Sequence, residues 1–553
     1  MKTTVIRLLF AAIIGFSPLS SILAVQLEYH ETVKEKNAEG IELVYDLLKL
    51  VYTDGDGEFQ TRYTCTLIHD DSYRYNVIGR LTIPERIREL PVDMGQGAFA
   101  GCPMLTEVDV PCGIADNAFV NCTQLTRVNL SEKTYYIGAY AFSGCTALEE
   151  LTIPPSVSLI RGWAFAGCTK LKKINGLQLW TCKGARIFND CPELSFDFST
   201  ASGNFGLAFQ DNQFITDVAL PEGVTSIAEK AFAGCTSLKS LKLPSTLTKV
   251  GTQAFLGCIS LESVEGLDLS IDLGVELFAF CSNLESLDFS SARGKLPERA
   301  FAAMSGLKSA MLPEGVTEIG GYAFYRCSSL ARVEIPNTVT KIGNSAFAEC
   351  ESLEEAAVPA TVEQMGYSIF YGCTGLRSAS IPMLVSGMFS SCPQLREVTM
   401  TGEVKYIPQD TFYGCTSLES FIIPESVRMI DENAFAECDN LKTVYSYVMT
   451  PFPMSTSSFS VTAKADATLY VPVGTRQLYE TTRGWDFKNI VEMADGQGIS
   501  TTLNDKGEIA NDNCYDLQGR RVSASLVNGE KRTANSGSLK KGVYIRGGKK
   551  YVR

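Results

Sequence analysis

The pattern Phe-x-x-Cys-x-x-Leu constrains this chain more than any other feature. It is seen in Phe347-Ala348-Glu349-Cys350-Glu351-Ser352-Leu353 and recurs along most of the sequence. The cysteine returns at Cys102, Cys122, Cys145, Cys168, Cys191, Cys235, Cys258, Cys281, Cys327, Cys350, Cys373, Cys392, Cys415 and Cys438, and its slot is held by Asn212 and Met304 in two further copies. Twelve of the fifteen spacings between these sixteen anchors are 23 residues, and the others are 20, 21 and 19. A Phe stands three residues before every anchor, and a Leu three residues after every anchor except at Ile215. No single unit has enough apolar residues to bury its own face, so such a chain must stack coil on coil as a solenoid.

A clear unit runs from Leu330 to Phe347. Val333 and Ile335 alternate with Arg332 and Glu334, which predicts a short half-buried strand. Pro336 ends it because proline donates no ladder hydrogen bond. Val339 and Ile342 predict a second apolar edge, and Gly343 a tight bend after it. Ile174-Asn175-Gly176-Leu177 and Val264-Glu265-Gly266-Leu267 lack that proline, so those coils should bend differently. The shortened coils before Cys122, Asn212 and Cys392 should sit at kinks.

Fourteen of the eighteen cysteines share one slot, so they form a column whose side chains point the same way. Parallel Cβ vectors do not suit disulfides. The substitutes Asn212 and Met304 show that the slot needs a medium-sized buried group. A column also makes no tetrahedron, which disfavours zinc. The expectation is free, buried thiols with weak hydrogen bonds to the turn backbone. Cys65, Cys112, Cys182 and Cys514 lie off the column and are the ones whose pairing stays open.

The flanks divide the rest of the chain. Residues 1–24 read as a secretory signal: Lys2 and Arg7, then an apolar run from Leu8 to Phe16 too short to span a bilayer, then small residues up to Ala24. No other stretch is apolar enough to span a membrane. Residues 25–77 carry no repeat and are expected to cap the first coil. The solenoid occupies 78–443. A C-terminal cap is expected over 444–493, with a strand at Ala467–Pro472, a helix near Gln477–Trp485, and Trp485 and Phe487 covering the open end. A linker spans 494–513. The last segment, 514–553, is basic, with ten Lys and Arg against Asp516 and Glu530, and Val543–Ile545 and Tyr551–Val552 flank a Gly547-Gly548 turn. The whole chain carries a net charge of −13, which argues against nucleic acid as a partner of its main body.

Catalytic chemistry is sparse. The two histidines, His30 and His69, lie outside the repeats with no nucleophile or metal motif around them. Phosphate-loop, dinucleotide and paired-histidine motifs are missing, so no cofactor or metal is expected and the chain reads as non-enzymatic. The residues left free to vary are the binding candidates. The outward strand positions, five and seven residues after each anchor, form two columns: Glu107 and Asp109, Arg127 and Asn129, Glu150 and Thr152, Ser240 and Lys242, Arg332 and Glu334, Glu397 and Thr399. Tyr325, Tyr371 and Tyr413, just after the repeat Phe, form a second set of a kind suited to protein recognition.

The unit Ala-Phe-x-x-Cys-x-x-Leu, joined to Ile-Pro-x-x-Val-x-x-Ile-Gly, resembles the BspA-like class of leucine-rich repeats over roughly residues 78–443. The resemblance implies a leucine-rich-repeat solenoid with a parallel β-sheet face, short second strands, short helical turns and a cap at each end. It also implies an exported bacterial protein, secreted or held on the cell surface, that binds an extracellular protein or glycan in adhesion or host contact. The alternatives are a structural component of the cell envelope and, further off, an accessory to carbohydrate-active enzymes. The tail Tyr515-Asp516-Leu517-Gln518-Gly519-Arg520-Arg521 with Leu539–Ile545 resembles the C-terminal sorting domains of type IX-secreted proteins, which implies contact with secretion or envelope machinery.

Overall fold

A computed structural model describes residues 25–53 and 59–493, with four short strand segments beyond them at 514–515, 521–522, 543–546 and 549–552. The expected signal segment 1–24, the linker 494–513 and most of the basic tail lie outside the described residues. Within the tail, Val543–Arg546 pairs antiparallel with Lys549–Val552, as the Gly-Gly turn predicts. The chain divides into two compact units. The first ends at Ala201 and includes Gly206–Phe214; the second takes Ser202–Phe205 and the chain from Ile215 onward.

Both units are β-solenoids. In the first, Gly79–Thr82, Leu105–Val110 and Arg127–Leu130 form a parallel sheet, and Glu150–Thr152 pairs with Lys173–Asn175. In the second, one run joins Asp217–Ala219, Ser240–Lys242 and Ser263–Glu265, and others follow to the sheet ending at Asn489–Glu492. Partners across full-length coils are 23 residues apart, as in Ser309 opposite Arg332, so the sequence period is the sheet register. A second column of two- to four-residue strands, such as Val316–Ile319, Lys341–Ile342 and Gln364–Met365, runs along another side of the coil.

The segment around each Phe differs from the helical turn that was expected. It is a series of tight turns whose backbone forms a third ladder. Tyr322 N donates to Asn344 O at 2.8 Å, Phe324 N to Ala346 O at 2.8 Å and Arg326 N to Ala348 O at 2.9 Å, each bond reaching into the following coil. A helix would spend those N–H groups within the coil. Two residues per turn take the left-handed conformation to direct them outward, at φ 57° for Tyr322 and 59° for Arg326. A non-glycine residue costs about 1–2 kcal/mol in that region. The cross-coil hydrogen bonds and the burial of Phe offset the strain.

The Phe rings stack inside this ladder. Phe324 and Phe347 lie 5.4 Å apart at 4°, and Phe119 and Phe142 lie 5.5 Å apart at 7°. Twelve repeat thiols donate to the Phe carbonyl of the preceding coil, as Cys350 Sγ does to Phe324 O at 3.2 Å. All cysteines in the described residues are buried and outside any disulfide, including Cys65, Cys112 and Cys182; Cys514 falls outside the residues whose side chains are described.

The glycine that closes the second strand has a different role from the expected tight bend. Gly343 does not adopt a left-handed φ; a Cβ there would stand 2.4 Å from Gly321 N. Close approach of the coils is what demands it. The two coils without the strand-ending proline do turn differently, with Gly176 and Gly266 in the left-handed region at φ 72° and 73°.

Only one of the three shortened coils disturbs the ring stack. Phe188 and Phe209 tilt by 40°, and Phe196 and Phe198 wedge beside them. In the shortest coil Phe370 and Phe389 remain parallel at 6°, and Phe99 and Phe119 at 9°. The deletion before Cys392 removes residues between Pro382 and Gly387, on the second-strand side, and spares the Phe turn.

At the N-terminal end, antiparallel strands β1 (Val25–Lys36), β2 (Glu42–Thr53) and β3 (Phe59–Leu67) lead into Leu90–Met94, which pairs parallel to β3. Tyr73 continues the ring column by stacking 5.2 Å from Phe99, and its hydroxyl accepts from Val44 N at 2.6 Å. At the other end Phe459 stacks 4.6 Å from Phe435, and Phe487 meets Phe459 edge-on. Strand Thr468–Val471 lies where the sequence placed it, while helix Arg476–Thr481 ends short of the expected Trp485. Trp485 is fully buried and donates through Nε1 to Phe452 O at 2.8 Å.

Candidate ligand-binding surfaces

The outward strand positions in the first unit come together as one network. Asp109 accepts from Asn129 Nδ2 at 2.6 Å, from Arg80 Nη2 at 2.6 Å and from Thr82 Oγ1 at 3.1 Å. Glu107 lies 3.8 Å from both Arg80 and Arg127. Partial burial works to raise the Asp109 carboxyl, but the hydrogen bonds from Asn129, Arg80 and Thr82 outweigh it and hold the group below its usual range. Four of the predicted residues thus spend much of their bonding on one another. Glu150 and Thr152 stand exposed one coil further on.

In the second unit the same columns are more open. Ser240 donates to Asp217, Lys242 faces Glu265 at 3.8 Å, and Arg332 pairs with Glu334 on its own strand. Glu397 is exposed, but Thr399, expected outward, is buried at 7 % exposure. The coils press close there, since a Cβ at Gly402 would meet Pro382 O at 2.3 Å.

A column that the sequence reading missed lies beside these, four residues after the anchor. It pairs opposite charges on successive coils: Lys172 with Glu149 at 3.1 Å, Arg377 with Glu354 at 3.3 Å, Lys442 with Glu419 at 3.0 Å, and Lys308 with Glu285. The signal was present as charge reversal at the 23-residue period. Each pair is exposed, so solvent screening leaves it little net stabilising effect.

The tyrosines occupy three different settings. Tyr325 donates to Glu349 Oε1 at 2.8 Å, while Arg326 lies over the Tyr325 ring at 5.1 Å and donates through Nε to Glu349 Oε2 at 2.7 Å. Tyr413 repeats the bond with Glu437. For Tyr371 the corresponding residue of the next, shortened coil is Ser391, and the ring is 41 % exposed. Tyr322 and Tyr325 meet edge to face at 5.6 Å, Arg299 covers Tyr322 at 4.8 Å, and the neighbouring Tyr367 is 52 % exposed. Tyrosine and arginine gathered with few free carboxylates is the composition of protein-recognition surfaces. The first unit has a smaller relative of this cluster, with Tyr140 stacked on Trp163 and Arg186 over Trp163 at 5.2 Å.

Among the described residues no group of three or more His, Cys, Asp or Glu could hold a metal ion, and no helix is long and apolar enough to cross a membrane. The repeat thiols are poor nucleophiles in place. Burial pushes Cys145, Cys327 and Cys373 up to about 12, from an ordinary 9.0.

Comparison with known proteins agrees with this architecture. The family model described as BspA type leucine rich repeat region matches residues 63–200, 207–331, 271–388 and 384–447. Among solved structures, a leucine-rich repeat protein from Bacteroides ovatus is similar at 20 % identity over 84 % of this chain and 98 % of its own, with a TM-score of 0.29. A leucine rich cell surface protein from Faecalibacterium prausnitzii is similar at 22 % identity over 67 % of this chain and 95 % of its own, with a TM-score of 0.31. The pneumococcal vaccine antigen PcpA is similar at 15 % identity over 84 % of this chain and 99 % of its own, with a TM-score of 0.33. No curated protein matches the chain.

Proposed function

The chain belongs to the BspA type leucine rich repeat family, and from that premise we propose that it is an exported, non-catalytic solenoid that binds an extracellular protein or glycan in adhesion or host contact. The observation that carries this reading is the surface around Tyr322, Tyr325 and Tyr371. Tyr322, Tyr325 and the arginines beside them are held by fixed partners there, and Tyr371 next to them presents exposed ring area. Preorganised aromatic and arginine side chains lose little entropy on binding, so they suit a recognition surface. The secretory character of residues 1–24, the surface location and the sorting role of residues 514–553 belong to the same proposal and rest on sequence resemblance.

Retention of the full chain on immobilised matrix proteins and mucin tests the proposal. Saturable retention at micromolar concentration is expected. A chain that binds none of them and crosslinks on intact cells only to envelope proteins would support a structural envelope role.

A further inference from the structure

Every residue directly before a repeat anchor takes the left-handed conformation, from Gly101 at φ 67° to Glu437 at φ 58°. Seven of these sixteen slots hold glycine, the residue that adopts it without steric strain. Phe280 holds one at φ 64°. Among the described residues four aromatic side chains sit at such a φ, and three of them gain a contact there. Tyr140 stacks on Trp163, and Tyr322 lies under Arg299 and edge-on to Tyr325. No described ring or guanidinium group meets Phe280, and 56 % of it is exposed. A bulky residue in a strained and uncovered position marks a site of interaction rather than of folding.

Phe280 is one of three large apolar residues on two neighbouring coils of the second unit. Ile259, directly after its anchor, is 46 % exposed in a slot that otherwise holds polar residues or proline. Leu256, two before the same anchor, is half-buried. Each of the three has a small residue in the same slot of the other coil: Leu256 beside Ala279, Phe280 beside Gly257, and Ile259 beside Ser282. The two coils are bonded in this register, Gly257 N donating to Ala279 O at 2.8 Å and Ser282 Oγ to Ile259 O at 3.4 Å. A Cβ on Gly257 would meet nothing within 4 Å, so the space over it is open. The coils anchored at Cys235 and Met304 extend the patch on either side. From two before to two after the anchor, these four coils carry no Asp, Glu, Lys or Arg.

From this we propose that the patch pairs with a second copy of this chain, inverted about a two-fold axis that crosses the column midway between Gly257 and Phe280. Such an axis sets each slot against the same slot of the other copy with the coil order reversed. Phe280 of each copy then enters the space over Gly257 of the other, Leu256 meets the slot of Ala279, and Ile259 meets Ser282. The coils of Cys235 and Met304 come to face each other with small uncharged residues, so the backbones can approach closely. Two features favour a second copy over an unrelated protein. The patch carries its own complement, large against small in all three slots. A chain of net charge −13 also repels its copies except where it presents no charge. Four coils span roughly 15 Å, so the contact is smaller than a permanent dimer needs and the pairing is weak and reversible. The inference stands apart from which ligand the protein binds; a pair would present its recognition surface twice.

Sedimentation of the full chain over a micromolar concentration series tests the pairing. A monomer–dimer equilibrium is expected, strengthened by added salt, which screens repulsion between the copies and breaks no ion pair. Phe280→Gly should weaken it at least tenfold and unfold no earlier than the parent. Gly257→Asn, a residue this slot already accepts at Asn121, should fill the socket and weaken pairing as much. Under mild oxidation a mixture of Phe280→Cys and Gly257→Cys chains should crosslink to each other more than either does to itself. A chain that stays monomeric at every concentration overturns the proposal. So does a dimer unchanged in both Phe280→Gly and Gly257→Asn, or one that crosslinks only like with like. A monomer whose Phe280→Gly variant loses retention on matrix proteins gives the patch to the ligand and also overturns the pairing.

Discussion

Asn212 occupies the slot of a repeat thiol and makes the thiol's bond: its Nδ2 donates to Phe188 O at 3.0 Å, as Cys191 Sγ donates to Phe165 O at 3.1 Å. Met304 fills the same slot fully buried without a donor, so the slot asks for a medium-sized buried group, and in the thiol and amide coils that group also bonds the previous coil. Cys350→Ala removes both the donor to Phe324 O and the packed sulfur, and should cost about 2 kcal/mol in denaturant unfolding. Cys350→Ser keeps a donor and should lose less.

The buried thiols also set an alkaline limit. Their folded pKa values are raised, to about 12 for Cys145, Cys191, Cys327, Cys373 and Cys438 against an ordinary 9.0. The unfolded chain releases these protons first, so stability is untouched below about pH 8 and falls as pH rises through 9 towards 12. Unfolding at pH 10 should release several protons per chain, measurable by calorimetry in buffers of different ionisation enthalpy. Native alkylation at pH 8 should leave the repeat thiols unlabelled.

Two neighbouring glycines should behave oppositely. Gly343→Ala forces a Cβ to 2.4 Å from Gly321 N and should destabilise by about 3 kcal/mol or more. In Gly321→Ala the Cβ meets nothing closer than Asn344 O at 3.5 Å, so the change should be neutral within about 0.5 kcal/mol. Unfolding curves of the two variants check this directly.

Much of the architecture was legible before any coordinates. The ring and thiol columns were readable because burial tolerates few side chains, so Phe and Cys repeat visibly. The turn geometry was not readable, because the left-handed positions carry residues as unlike as Tyr140, Lys230 and Glu349. Those side chains point to solvent, and the cross-coil N–H bonds, which have no sequence preference, set the backbone. Gly343 was noticed for the wrong reason: its identity is visible in sequence, but the coil that crowds it lies one period away. Among the candidate binding residues, the sequence singled out Tyr325 and Tyr413 without their Glu349 and Glu437 partners, 24 residues on. It passed over Tyr322 and Arg299, which matter through neighbours on adjacent coils.

In the C-terminal segment Lys464 is buried, with Nζ 2.6 Å from Asp486 Oδ1 and 2.8 Å from Thr456 O. Asp486→Ala leaves that ammonium without its anion and should destabilise the segment by about 1–3 kcal/mol. Lys464→Met, which removes the charge with the bond, should cost less. Hydrogen exchange across residues 459–493 reads both effects locally.

Tyr371 should separate recognition from stability. Its ring is exposed and lacks the acidic partner that ties down Tyr325 and Tyr413, so Tyr371→Ala should unfold like the parent and retain less matrix protein on the column. A loss of retention by Tyr413→Ala alone would shift the recognition surface towards the C-terminal coils.

The forward-reaching N–H groups of the Phe turns bear on how such a protein acquires a definite length. From Phe232 to Phe412 each turn is completed by a carbonyl on the coil that follows, so none of these coils carries an instruction to be the last. Within the second unit that instruction comes from outside the repeat: Phe435 N donates at 2.7 Å to Ser458 O, and Ser460 N donates back to Phe435 O at 3.2 Å. A stack cut short of Ser458 would keep an open socket at its end, ready to accept the backbone of another chain. Length here is imposed from outside the repeat, and the segment that imposes it is also what keeps one molecule from continuing into the next.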